Sequence, residues 1–476
     1  MLHRPDMALP PIATASGIEV YRGPHKVLSS ATVSLHGGEV VAIIGENGSG
    51  KSTLIESIAG ILPLRSGEVS WSTRSGDQRL VRDSDGRRNA LPPMGLTLQR
   101  DGMCGEQTVI ERLSSALSVA GLFPNRNRLL ELLEEWGLSH RLDSRVAHIS
   151  GGQRRRLALL CGLAPAALSD HPRAVLLDEP SEGLDSSSKK LMRGWLRSLA
   201  SIGHGVLVST HDNEVVGCAD RVITIRAQAL SEAPGDPSDE FAELPIPCPS
   251  MDPSPIASLV KWGITMELRN PIDTIGRATP ALVAILLAYS LVGSLDMALH
   301  SSDLLAALIL APAFITAVAS PAISGRLAED DCGRWWNAVV GPMARPANSI
   351  VGASLVLPIP LTYLSWVLLG GSVDSTTSSE VLRWLWLPAL SMLDLAVAAT
   401  ALHLLSSELA RGSAVPASLL LVVLVWPFLE LTEALAMIID DGMTISLELN
   451  EPIATCLIAS VTSALVWLVA VLIPDS

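Results

Sequence analysis

From Ile18 to about Ile225, short runs of β-favouring apolar residues are separated by stretches in which apolar positions recur at helical spacing. The runs EVVAIIG (39–45), AVLLDEP (174–180) and GVLVST (205–210) read as strands, and RNRLLELLEEWGL (126–138) reads as an amphipathic helix. That alternation predicts an α/β domain with a parallel sheet over residues 11–226. From 227 to 254 the pattern lapses into Pro, Ser and acidic residues without apolar periodicity, which predicts a flexible linker. Beyond it lie six apolar stretches, at 279–295, 304–323, 348–369, 384–405, 415–434 and 452–473. Crossing a bilayer takes about 20 apolar residues, so residues 255–476 are expected to form an all-α, six-helix transmembrane domain. The preceding segment SPIASLVKWGITMELRN (254–270) is shorter and amphipathic, and is expected to lie along the inner membrane interface.

Charge adds an orientation. An even number of spans puts both ends on one side, and Lys and Arg accumulate in cytoplasmic loops. Lys261, Arg269, Arg277, Arg326, Arg334, Arg345 and Arg411 all fall on the cytoplasmic side if the N-terminus is inside, and only Arg383 does not. The chain is therefore expected in the cell (inner) membrane, multi-pass, with its first domain and C-terminus in the cytoplasm. A net charge of −14 over 476 residues lacks the basic footprint of a nucleic-acid binder. The six cysteines, Cys104, Cys161, Cys218, Cys248, Cys332 and Cys456, have neither CxxC nor Cys/His spacing, so free thiols are expected, without a disulfide framework or zinc site. Residues 1–10 begin a segment with no apolar core of a signal peptide and are expected to be a disordered tail. No repeat of solenoid period is present.

Candidate chemistry starts at Gly45-Glu-Asn47-Gly48-Ser49-Gly50-Lys51-Ser52-Thr53. This is P-loop spacing, placed after an apolar strand and before a helix expected to begin near Lys51. Glycines let the backbone curl so that its N–H groups face phosphates, and the helix N-terminus adds a favourable dipole. Lys51 is positioned for the β and γ phosphates, and the Ser52 hydroxyl for Mg²⁺. A P-loop alone leaves GTPases, kinases and helicases open. Its companions narrow the field: Gln99 in GLTLQRD, Ser150-Gly151-Gly152-Gln153 in HISGGQRRRLALL, Asp178-Glu179 in AVLLDEP, Asp185 in SEGLD and His211 in VLVSTHD, in that order.

The whole first domain resembles the ATP-binding cassette (ABC) ATPases, with Ile149 where Leu is usual in the signature motif and Ser181-Glu182 departing from the usual D-loop. The resemblance implies ATP and Mg²⁺ as cofactors, with Asp178, Ser52 and Gln99 near the metal, and Glu179 as the general base that orients the attacking water. It implies that His211 contacts the γ-phosphate and that Tyr21, in VYRGPHKVL, stacks on adenine. It also implies a dimer in which each P-loop faces the partner copy's Ser150-Gly151-Gly152, with Asp185 at the seam. One such set per chain calls for a second copy of the same chain.

The later half resembles the six-span membrane component of the cytochrome c maturation haem exporter. The likeness lies in MELRNPIDTIGRATPALVAILLAYSLV (266–292) and in the stretch from Ile309 to Leu361; the first domain is similar to the ATPase component of that exporter. A fused export half-transporter is implied, with the lipid bilayer and haem or a haem chaperone as partners. An ABC-2-type exporter of drug, lipid or peptide, and a mechanochemical ATPase that releases a membrane-bound partner without transport, remain as alternatives. SGRLAEDDCGRWWNAVVGPMARPAN (324–348) falls on the cytoplasmic side, where a coupling helix would dock near the Gln99 loop. Its Trp335-Trp336 pair is expected to serve packing, since a haem-handling tryptophan motif belongs outside the membrane. Asp394 falls near the middle of the fourth stretch, where an acid is costly and points either to a function in a pathway or interhelical pair or to helix–helix packing with a hydrogen-bond partner. Glu430 and Glu433 lie toward the outer end of the fifth, His300 and His403 are the histidines of this half, and AMIIDDGMTISLELNE (436–451) is an acidic external loop.

Overall fold

The computed structural model describes residues 11–269, 271–294, 301–318, 326–327, 329–341, 351, 355–356, 358–370, 386–408, 415–440 and 451–472, with some side chains at helix ends outside that description. Two compact units result: one of residues 1–259 with 326–346 and the last two residues, the other of 260–325 with 347–474.

In the first unit the strands are β1 (Ala13–Arg22), β2 (His25–Leu35), β3 (Val40–Ile44), β4 (Ser66–Ser72), β5 (Gln78–Asp83), β6 (Gly95–Thr97), β7 (Ala174–Asp178), β8 (Gly205–Ser209), β9 (Arg221–Arg226) and β10 (Ala229–Pro234). The helices are α1 (Lys51–Ile58), α2 (Val109–Val119), α3 (Arg126–Glu135), α4 (Gly151–Ala167), α5 (Ser186–Ser201) and α6 (Asn213–Val216). One sheet is antiparallel, in the order β2-β1-β4-β5; the other runs β10-β9-β3-β8-β7-β6 and is parallel from β9 to β6. β7 and β8 are buried along their whole length, as β-branched and leucine runs covered on both faces must be. Because β3, β8 and β7 are parallel neighbours, their C-terminal ends share one edge of the sheet, where ligands of open α/β sheets bind. Gly50 precedes α1, Ser150 caps α4 and Asp185 caps α5.

His204 couples this core to pH. It is buried, and its Nδ1 accepts the Arg173 N–H at 2.9 Å. Burial, reinforced by the charge of Arg173, pulls the imidazole down to about 4. The unfolded chain takes up this proton near pH 6.5, so the contribution is complete above that value and is lost as pH falls through 4. We expect acidification to remove on the order of 3 kcal/mol through this residue. Thermal melts between pH 7 and 4 should fall less steeply for His204→Gln than for the wild type.

The stretch expected to be a flexible linker is instead laid against the unit. β10 pairs antiparallel with β9. Ala242 and Ser198 exchange hydrogen bonds, the Cys248 N–H donates to Leu168 O, and the Met251 N–H donates to Gly121 O. Composition reports the lack of apolar side chains to bury; here the backbone supplies the pairing. The chain can approach this closely because Gly121 and Gly194 have no Cβ: one built on Gly121 would meet Met251 O at 2.2 Å, and one on Gly194 would meet Ala242 Cβ at 2.7 Å.

Residues 326–346 also belong to the first unit although they follow the second apolar stretch. Their helix, Cys332–Val340, buries Trp335 and Trp336, whose rings meet edge to face at 5.1 Å. The Trp335 Nε1–H donates to Leu96 O at 3.3 Å, and the Arg112 guanidinium lies 3.8 Å from the centre of its ring. The Gly102 N–H donates to Asp330 O and the Gly105 N–H to Glu329 Oε2. Arg334 pairs with Glu56 of α1 at 3.0 Å, and that carboxylate also holds Arg22. Packing is thus what the tryptophan pair does, and its docking ground is the loop that carries Gln99.

The second unit consists of apolar helices, including Pro271–Ser294, Ser302–Val318, Pro358–Gly370, Trp386–Glu408, Val415–Asp440 and Glu451–Leu472. Each of the six expected spans runs into residues whose backbone or side chains lie outside the description, and over the described residues alone no helix is long and apolar enough to cross a membrane. Asp394 is buried and accepts a hydrogen bond from Ser460 Oγ at 2.9 Å, the arrangement expected of helix–helix packing with a hydrogen-bond partner. Glu433 is exposed and Glu430 half-buried. His300 and the side chain of His403 lie outside the described residues, as does most of the acidic loop.

Candidate active site

The turn between β3 and α1 wraps around its own lysine. Lys51 is buried, and its Nζ donates to Gly45 O at 3.0 Å and Glu46 O at 3.4 Å. Gly50, at φ 111°, closes the turn in a conformation that L-residues avoid. A Cβ there would also lie 2.8 Å from Val27 Cγ1. We expect Gly50→Ala to weaken ATP binding about tenfold, since left-handed backbone costs a side chain about 1–2 kcal/mol; titration with a fluorescent ATP analogue checks it. Ser49 Oγ is buried beside Gly45 and has no hydrogen-bond partner among the described residues.

A cavity of about 500 Å³ opens over this turn. Asn47, Gly48, Gly50, Lys51, Ser52 and Thr53 line it from the P-loop, and Gln99, Glu179 and His211 line it from the other strands. Glu179 is held from three directions. Its Oε1 is 3.6 Å from Lys51 Nζ, its Oε2 is 2.8 Å from His211 Nδ1, and its N–H donates to both Ser209 O and Ser209 Oγ. Its backbone is left-handed, at φ 47°. Asp178, one residue earlier, is buried and accepts hydrogen bonds from the Ser209 and Ser52 hydroxyls; burial raises its carboxyl above the ordinary value and those hydroxyls oppose the rise. The adjacent carboxylates therefore face different surroundings, as different tasks require.

Ser52 and Gln99 line the cavity and the Ser52 hydroxyl bonds to Asp178, so the three bring oxygen donors of the kind a hard divalent cation such as Mg²⁺ prefers. Among the described residues there is no cluster of three or more His, Cys, Asp or Glu that could hold a metal ion.

Ser150, Gly151, Gly152, Gln153, Asp185 and Tyr21, all expected at the site, do not line this cavity. Ser150 is exposed at the start of α4, where it and Gln153 cap each other's backbone N–H groups, and Gly151 has open space around it. Asp185 is exposed and caps α5, and its hydrogen bonds to Ser188 and Ser187 hold its carboxyl down at about 2, fully ionised. Tyr21 is the penultimate residue of β1, donates its hydroxyl to Glu19 and is not a lining residue of the cavity; Arg22 and Val27 are. Arg22 and Val27 had no expected role in the sequence, and Glu182, which also lines the cavity, was read only as a departure from the usual D-loop.

The sequence pattern defining the family described as ABC transporter matches residues 28–182. The lipoprotein-releasing system ATP-binding protein LolD of Gluconobacter oxydans is 36% identical over 42% of this chain and 85% of its own length. This chain belongs to the ABC transporter family. The sulfate/thiosulfate import ATP-binding protein CysA of Brucella melitensis is 33% identical over 45% of this chain and 58% of its own. For the macrolide export ATP-binding/permease protein MacB 2 of Yersinia pestis bv. Antiqua the figures are 32%, 48% and 34%. Against the CysA and MacB relatives, then, the chain spans about 58% and about a third of their length. Among solved structures, an ATP-binding subunit of an ABC transporter aligns with a TM-score of 0.41 at 26% identity, over 47% of this chain and 90% of that one. The family match falls on the first unit, so the chain carries an ABC ATPase domain, for which ATP hydrolysis is implied.

Proposed function

We propose that the chain is an ATP-hydrolysing half-transporter, working as a pair of copies whose membrane helices are driven by closure of two shared ATP sites. The observation that carries this reading is the division of the site: Lys51, Ser52, Gln99, Glu179 and His211 gather on one cavity, while Ser150, Gly151 and Asp185 stand exposed at helix N-termini away from it. The exposed start of α4, where Gly151 has open space around it, is suited to the phosphates of a second copy's nucleotide. In the hydrolytic step Glu179 accepts a proton from the attacking water. His211 fixes the far oxygen of its carboxylate, and Lys51 balances the phosphate charge. Bound Mg²⁺ would supply further charge neutralisation at the phosphates, with Ser52, Gln99 and Asp178 as its residues.

The second unit is read as the membrane half. Leu286, Leu287, Tyr289, Val367, Val461 and Leu465 are exposed on its helices, the apolar surface that lipid would cover. Residues 326–346 are read as the coupling segment, held by Trp335 and Arg334 on the ATPase surface. The relatives' names point to lipoprotein release, sulfate import and macrolide export, so they give no common cargo. The cargo reading is haem-related export, on the resemblance of residues 266–292 and 309–361.

Hydrolysis by the purified full chain, measured against protein concentration, tests the shared site: the rate per chain should rise with concentration until pairing is complete. A constant rate from a monomer would remove it. Deleting the gene and staining for covalent haem in c-type cytochromes tests the cargo. Unchanged cytochromes would leave the transporter and discard haem.

A further inference from the structure

We propose that Arg155 is a positioning residue that links helix α4, whose start meets the second copy's nucleotide, to the chain's own hydrolytic groups. The inference rests on the ATPase reading above and extends it to cross-talk between the two sites.

The three consecutive arginines of α4 have separate tasks. Arg154 reaches Asp330 at 3.7 Å, and Arg156 donates to Trp136 O at 3.2 Å. Arg155, between them, is buried and turns into the site. Its Nη1 donates to Leu98 O at 3.2 Å, Gln99 O at 3.4 Å and the Asp101 carboxylate at 3.1 Å. Its Nη2 donates to Asp178 O at 2.9 Å and Glu179 O at 2.6 Å. One planar fork thus joins the Gln99 loop to the end of β7, and both depend on where α4 stands. An ammonium has three donors around a single point and cannot span the two loops in this way.

The Glu179 carbonyl matters most, because that residue is in left-handed backbone and the direction of its carboxylate depends on holding it there. Hydrogen bonds weaken steeply with distance and angle, so a small displacement of α4 would release the Gln99 and Glu179 carbonyls together. When a second copy's nucleotide seats on Ser150 and Gly151, α4 is fixed, and Arg155 then holds Glu179 and Gln99 in place. The two ATP sites are coupled through this side chain.

The test uses the full chain, with Arg155→Gln, Arg155→Lys and Asp101→Asn, in steady-state hydrolysis over a range of ATP concentrations, nucleotide binding and thermal melts. Arg155→Gln should lower kcat about tenfold or more, keep KM within about threefold and bring the Hill coefficient for ATP toward 1. Arg155→Lys should follow it, because charge without the fork is insufficient, and Asp101→Asn should shift both quantities less. Wild-type kcat and cooperativity in the two Arg155 variants would overturn the proposal. So would a wild-type chain that hydrolyses ATP without cooperativity, or losses in which KM and melting temperature move in step with kcat in every variant. A wild-type chain with no hydrolysis at all would instead remove the ATPase reading.

Discussion

Glu179→Gln should bind ATP at least as tightly as the wild type and turn it over about 10²–10³-fold more slowly, the contribution a positioned general base makes. The carboxylate faces the cavity with both oxygens engaged, one by Lys51 and one by His211, so the amide can keep the shape of the contacts but cannot take the proton. Removing a negative charge beside the triphosphate also relieves repulsion in the bound state. Phosphate release measures the turnover, fluorescent-nucleotide titration measures the affinity, and gel filtration with ATP should show paired chains accumulating. Turnover within a few-fold of wild type would dismiss Glu179 as the base and shift attention to His211.

Trp335→Ala should detach the 326–346 segment while sparing the ATP site. Replacing a buried tryptophan by alanine costs about 3–5 kcal/mol. Here the ring also loses its place under Arg112 and its N–H donated to Leu96 O, and a buried guanidinium over an aromatic face adds about 1–2 kcal/mol. Basal hydrolysis should stay within a few-fold, because Trp335 does not line the cavity. Trypsin cleavage after Arg334 should accelerate tenfold or more, in line with the increased population of opened segment. Trp335→Phe, which keeps a ring face for Arg112, should restore much of the protection. Equal cleavage rates in wild type and Trp335→Ala would mean that the tryptophan does not anchor the segment.

The difference between what can and cannot be read in the sequence follows the distance over which each feature is built. Lys51, Ser52 and the glycines at 45, 48 and 50 are legible because a phosphate-binding turn is a local backbone shape, fixed by residue types at fixed spacing. Strands β3, β7 and β8 are legible because full burial makes them continuous apolar runs. Asp178, Glu179 and His211 follow at the ends of those strands, so their meeting can be anticipated from order alone. Arg155 cannot, since a run of three arginines after a signature motif reads as a solvated helix face, and only the packing of α4 against β6 and β7 turns the middle one inward. The Glu56–Arg334 pair and the Arg112–Trp335 contact join residues far apart in the chain, and neither partner carries a spacing signal. Residues 235–252 elude the sequence for a related reason: a strap held by backbone hydrogen bonds leaves no apolar periodicity. Tyr21 shows the opposite limit, because a position counted back from the P-loop fixes the strand end but not the direction of the ring.

The left-handed backbone of Glu179 sets fitness for hydrolysis against fitness for endurance. Glycine at this position would relieve a conformation that costs a non-glycine residue about 1–2 kcal/mol. A library screened only for survival of heating would therefore be drawn toward the loss of the carboxylate proposed as the general base, and heat-tolerant variants of this chain must be selected for turnover at the same time.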